Sequence, residues 1–141
     1  MNLILFFLPL TVSAWSIAFY TGENCEQDTS FNDVQYLGDT QSDCLIPGER
    51  GQDDVDHCTW YTNNGADSAV CTGPMDPQPQ SWMFGSNGQP TPMCYVNYEE
   101  ECDILEWEHV PVQGECYKIA DLEAKPNGNP IHFRCFDGHN S

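Results

Sequence analysis

At 141 residues the chain is long enough for one domain with a real but modest hydrophobic core. Its 22 acidic side chains face only 4 basic ones, for a formal net charge of −18. That surface repels phosphate backbones and anionic headgroups and excludes nucleic acid as a partner, while it draws basic protein patches and keeps a secreted chain soluble.

The first residues, Met1 to Ala14, read MNLILFFLPLTVSA. The apolar run from Leu3 to Leu10 falls well short of the about 20 residues that span a bilayer. It suits the h-region of a secretory leader, with Pro9 ending the apolar helix and Val12-Ser13-Ala14 supplying small residues for cleavage. The expected organisation is therefore a signal peptide over residues 1–14 and a single acidic domain over residues 15–141. Ser16-Ile17-Ala18 offers a second cleavage site, which would start the chain at Phe19. No later segment is apolar enough to cross a membrane, so no membrane partner is expected after cleavage.

In chain order the remainder reads as short strands broken by turn chemistry. Trp15 to Tyr20 is aromatic and β-branched and closes on Thr21-Gly22; Val34 to Leu37 alternates and stops at Gly38. Cys58 to Thr62 runs into Asn63-Asn64-Gly65, a tight-turn signal that predicts an antiparallel return over Ser68 to Thr72. Residues 73–80 (GPMDPQPQ) read as a mobile loop. Ser81 to Phe84 and Met93 to Val96 flank a loop from Gly85 to Pro92. Tyr98, Cys102, Leu105 and His109 share one helical face, which predicts a short helix from Glu99 to His109; a strand through Asp103 to Trp107 is the alternative. Cys116 to Ile119 and Ile131 to Phe136 read as the last strand pair. The fold class expected is mainly β, small and disulfide-rich.

All eight cysteines (Cys25, Cys44, Cys58, Cys71, Cys94, Cys102, Cys116 and Cys135) lie beyond the leader. Their number is even and none forms a C-x-x-C pair, so disulfides are expected rather than a zinc site. The connectivity is left open by the spacing.

The candidates for chemistry are sparse. Asp53-Asp54-Val55-Asp56-His57 and Glu99-Glu100-Glu101 are acidic, but neither has the spacing that wraps a calcium ion, and both read as solvated loops. His57, His109, His132 and His139 show no H-x-x-x-H pair, and no nucleophile elbow or phosphate loop is present. No cofactor, metal or catalytic residue is expected. Exposed aromatics are the expected partner contacts, because Trp and Tyr dominate binding hot spots: Trp60, Tyr61, Trp82 and Trp107, two of them in a patch near residues 73–92.

Two local resemblances bear on function and fold. Leu105-Glu106-Trp107-Glu108-His109-Val110-Pro111 resembles the glutamate strand of guanyl-specific fungal ribonucleases. That resemblance implies Glu106 or Glu108 as base, His109 or His132 as acid and Arg134 as the cation. Ile17 to Cys25 resembles the first Greek-key motif of the βγ-crystallins, whose calcium form uses an N/D-N/D-x-x-S/T-S motif; Asn63 to Ser68 departs from that motif, with Asp67 where Ser or Thr belongs. Taken whole, the chain resembles the small cysteine-rich secreted proteins of filamentous plant-associated fungi, by its VSA-ended leader, compact body and dispersed cysteines. The resemblance implies a secreted virulence effector that is not an enzyme and binds a host protein to suppress defence. The alternatives are a structural or toxin-like secreted protein and a ribonuclease-type hydrolase.

Overall fold

The computed structural model describes residues 15–27, 32–38, 42–51, 57–85, 93–98, 102, 111–122 and 130–136. Two β-sheets pack around one core, and the described part contains eight strands and a single short 3-10 turn.

The first strand, β1 (Trp15–Tyr20), alternates as expected. Trp15, Ile17 and Phe19 point to the core and are essentially inaccessible, whereas Ser16 and Ala18 face outward. It is the centre of the larger sheet. On one side it pairs antiparallel with β2 (Asp33–Gly38), which pairs with β3 (His57–Thr62), then β4 (Asp67–Val70). On the other side β5 (Ser81–Gly85) returns along β1, followed by the two-residue β7 (Tyr117–Lys118). The order is β4-β3-β2-β1-β5-β7. Gly38 closes β2 without a side chain because the indole of Trp15 occupies the space a Cβ would need. The turn from β3 to β4 uses Asn63, Asn64 and Gly65 in left-handed conformation, residue types that tolerate it.

The smaller sheet pairs β6 (Met93–Asn97) with β8 (His132–Phe136). Residues 42–45 extend it, with mutual backbone hydrogen bonds between Leu45 and Phe133 of 3.0 and 2.8 Å. Phe133 is the keystone between sheets, its ring 5.0 Å from Phe19 and 4.6 Å from Tyr36. Such a fully buried aromatic cluster supplies several kcal/mol by burial alone.

Four disulfides staple this arrangement: Cys25–Cys116, Cys44–Cys102, Cys58–Cys71 and Cys94–Cys135. Cys58–Cys71 closes the base of the β3–β4 hairpin, and Cys94–Cys135 joins directly opposed residues of β6 and β8.

Two sequence expectations are corrected. Cys116 to Ile119 does not pair with Ile131 to Phe136: β7 joins β5 in the larger sheet, whereas β8 joins β6 in the smaller one. The strands on either side of residues 86–92, β5 and β6, belong to different sheets, a point that the sequence leaves open. Residues 73–80 are pinned rather than mobile, by Met75 N–H to Pro47 O (2.8 Å) and Gln80 N–H to Tyr20 O (2.8 Å). The helix expected from Glu99 to His109 lies outside the described residues, Cys102 excepted.

Candidate functional site

A cleft opens where the loops joining the two sheets meet. Its first wall is a four-residue turn, Ile46-Pro47-Gly48-Glu49, closed by Glu49 N–H to Ile46 O at 2.9 Å. Proline followed by a left-handed glycine (φ 101° at Gly48) is the pattern of a type II turn. Tyr36 holds this turn from inside the molecule. Its hydroxyl donates to Glu49 O (2.8 Å) and accepts from Gly48 N–H (2.7 Å). Burial pushes the Tyr36 hydroxyl well above its ordinary pKa, so it stays protonated and able to donate.

The second wall is the loop that follows β4. It lies directly on the turn: a Cβ at Gly48 would meet Gly73 O, Met75 N and Pro74 C. Pro74, Met75, Gln78 and Pro79 project from this loop. Tyr98, just beyond β6, and Pro130-Ile131, leading into β8, form the far side. Ile119, in the 3-10 turn Ile119–Asp121, closes the end and is fixed by its N–H to Gln80 O (2.8 Å). The cleft encloses about 60 Å³. That is room for a few waters or one modest apolar side chain, and well below the roughly 300–1,000 Å³ of small-molecule sites. A wider, open depression bordered by Glu49 and Arg50 adjoins it across Pro74.

The sequence-predicted contact residues do not converge. Trp60 is half-buried and packs against the core, while Tyr61, the next residue of β3, lies on the opposite sheet face. Trp82 is 3% exposed, its ring 4.9 Å from that of Tyr117, because the register with Phe19 puts it on the core side. Trp107 lies outside the described residues, as do Glu106, Glu108, His109 and residues 52–56. His132 is buried with Nδ1 3.1 Å from Pro130 O, two residues from Arg134 on β8. Among the described residues no group of three or more His, Cys, Asp or Glu side chains is placed to hold a metal ion. The cleft residues were missed by sequence reasoning. The one local signal was Pro47-Gly48, a turn dipeptide; the prolines at 74, 79 and 130 read only as loop punctuation.

Residues 15–135 match the family described as the secreted LysM effector LysM14, C-terminal domain. The chain belongs to that family. The match runs from the first residue of β1 to the last cysteine of β8, so this LysM14 C-terminal fold is the two-sheet unit described above. A curated relative is the secreted LysM effector LysM9 of Penicillium expansum, 28% identical over 109 residues. The aligned region is 74% of this chain and 28% of LysM9, so the chain spans little more than a quarter of that relative's length. No solved structure matches. The family and this relative are both described as secreted effectors, in keeping with the chain's cysteine-rich format and with an extracellular location.

Proposed function

We propose that this LysM14 C-terminal-type protein acts without catalysis, by binding a host protein and so blunting defence, and that the cleft receives an apolar side chain of that partner. The observation that carries this reading is the match between the cleft's size and lining and a single apolar anchor. Its walls are proline rings, isoleucine and methionine held by Tyr36 and the Met75–Pro47 hydrogen bond, so little order is lost on binding. The net charge of −18 adds long-range attraction toward a basic partner surface. We further propose that the leader ends at Ala14. Cleavage after Ala18 would remove Trp15 and Ile17, both core residues of the central strand.

The test is capture from host extracellular fluid under oxidising conditions, followed by calorimetry with the purified captured protein. Tyr98→Ala and Gln78→Trp, which remove or fill one side of the cleft, should each weaken binding roughly 30-fold, the loss of an anchor of ~2 kcal/mol. Tyr61→Ala, on the outer sheet face, should leave it unchanged. Equal loss with Tyr61→Ala, or cleft-dependent binding of a carbohydrate oligomer with no protein captured, overturns the host-protein reading.

A further inference from the structure

We propose that the Cys25–Cys116 disulfide is a thiol-sensitive latch, the first bridge to open under reduction, and that its opening releases the Ile119 end of the cleft.

The four bridges differ in access. Cys116 is exposed and Cys25 half-buried. By contrast Cys94 and Cys135 are fully buried, and Cys58 and Cys71 are 7% and 3% exposed. The remaining bridge joins a half-buried Cys44 to Cys102, which is 3% exposed, so that Cys116 alone of the eight is exposed. Thiol–disulfide exchange needs a thiolate to reach a sulfur in line with the bond, so the accessible bridge reacts first. The segments joined differ as well. Cys58–Cys71 and Cys94–Cys135 each link strands already paired along their length. The segment carrying Cys116 pairs through two residues only, Ser81 with Lys118 and Trp82 with Tyr117. Beyond that pairing it is held by Gly114 N–H to Phe84 O (2.9 Å), Ile119 N–H to Gln80 O (2.8 Å) and the Tyr117–Trp82 stack. The covered indole also finds no acceptor among the described residues, where Nε1 of Trp82 is buried without a hydrogen-bond partner. Water reaching it on opening satisfies that donor, which favours the open form.

Exchange proceeds in two steps. A low-molecular-weight thiolate, such as glutathione, attacks Cys116 Sγ, and Cys25 leaves as a thiolate that takes a proton from water. A second glutathione thiolate attacks the glutathione sulfur of the mixed disulfide and expels Cys116 as its thiolate, which is also protonated. The protein bridge gains two electrons and two protons, and two thiols become one disulfide. In oxidising extracellular fluid the latch is closed; in a glutathione-rich compartment it opens while the other three bridges, which have no exposed cysteine, persist. Ile119 then loses its tether and the cleft its end wall.

The experiment is a glutathione titration of the full oxidised protein, quenched with isotopic alkylating labels and read peptide by peptide, with hydrogen exchange on the same samples. Cys25 and Cys116 should take up label about 10-fold faster than the other six. Deprotection should appear at the Gly114 and Ile119 amides while Leu45 and Phe133 stay protected. Another pair labelling first, all four pairs opening together, or opening without deprotection of Ile119 overturns the proposal. The order of opening is read without any ligand, so its failure is distinct from failure of the binding reading. A Cys25→Ala/Cys116→Ala variant should reproduce the deprotection without thiol.

Discussion

Replacing Gly48 with alanine probes the contact on which the cleft is built. The backbone at Gly48 has φ 101°, a region that disfavours any L side chain by about 1–2 kcal/mol. The added Cβ would also press on Gly73 O, and lie 2.7 Å from Met75 N and 2.9 Å from Pro74 C. All three are backbone atoms, so the loop must shift as a unit. Moving it stretches the Met75–Pro47 hydrogen bond and misaligns Gly48 N–H on the Tyr36 hydroxyl, each worth about 1 kcal/mol. Alanine recovers a few tenths to about 1 kcal/mol by stiffening the unfolded chain. The net expectation is a destabilisation of about 3 kcal/mol. For a domain of this size that lowers the melting temperature by roughly 10 °C. Near-UV circular dichroism of the oxidised protein measures it, with Gly73→Ala as the control. Gly73 has open space around its Cβ position and no left-handed backbone, so its substitution should stay within about 0.5 kcal/mol. A Gly48→Ala protein as stable as the parent, or a Gly73→Ala protein equally damaged, refutes the account of how the walls are held.

Tyr36→Phe leaves a buried Gly48 N–H without its acceptor and should cost about 1–3 kcal/mol, read from denaturant unfolding. Because burial raises the folded-state pKa of Tyr36 above its ordinary 10.0, its contribution is full below pH 10 and is lost as the pH climbs through the folded value. The parent's alkaline stability loss should therefore be steeper than that of Tyr36→Phe by about 1.4 kcal/mol per pH unit; equal slopes would contradict the burial of this hydroxyl. Tyr20, raised by burial and by Asp33, keeps its share in both proteins. Phe133→Ala should cost about 3–5 kcal/mol by opening a cavity between Phe19 and Tyr36, with little change in the order of bridge reduction. Intact mass of secreted material should place the first residue at Trp15, and a chain begun at Phe19 should fail to form four bridges on refolding.

The strands were legible because their period is local. Trp15, Ile17 and Phe19 announce a buried face in six residues, and Asn63-Asn64-Gly65 announces a hairpin. Pairing was less so. The segments at 116–119 and 131–136 are neighbours in sequence with strand character, yet each is claimed by a partner further away, β5 and β6. Those choices follow from the Trp82–Tyr117 stack and the Cys94–Cys135 bridge, which spacing does not encode. Trp82 looked like a surface aromatic for the same reason: only the β1–β5 register turns it inward. The cleft was illegible because it gathers residues from five separated stretches, each resembling an ordinary loop on its own.

The division between the turn that carries the cleft and the side chains that rim it has an evolutionary consequence. Gly48 and Tyr36 have almost no freedom to change, since one admits no side chain and the other both donates to Glu49 O and accepts from Gly48 N–H. Gln78 is exposed and belongs neither to the four bridges nor to the core that secures the fold, whereas Tyr98 is half-buried and packs against that core. Substitutions at exposed rim positions such as Gln78 typically shift stability by less than about 0.5 kcal/mol. A lineage under pressure from a changing target can therefore rewrite the rim through ordinary point mutations while inheriting the frame intact. Paralogues of this unit should diverge in what they recognise long before they diverge in how they fold.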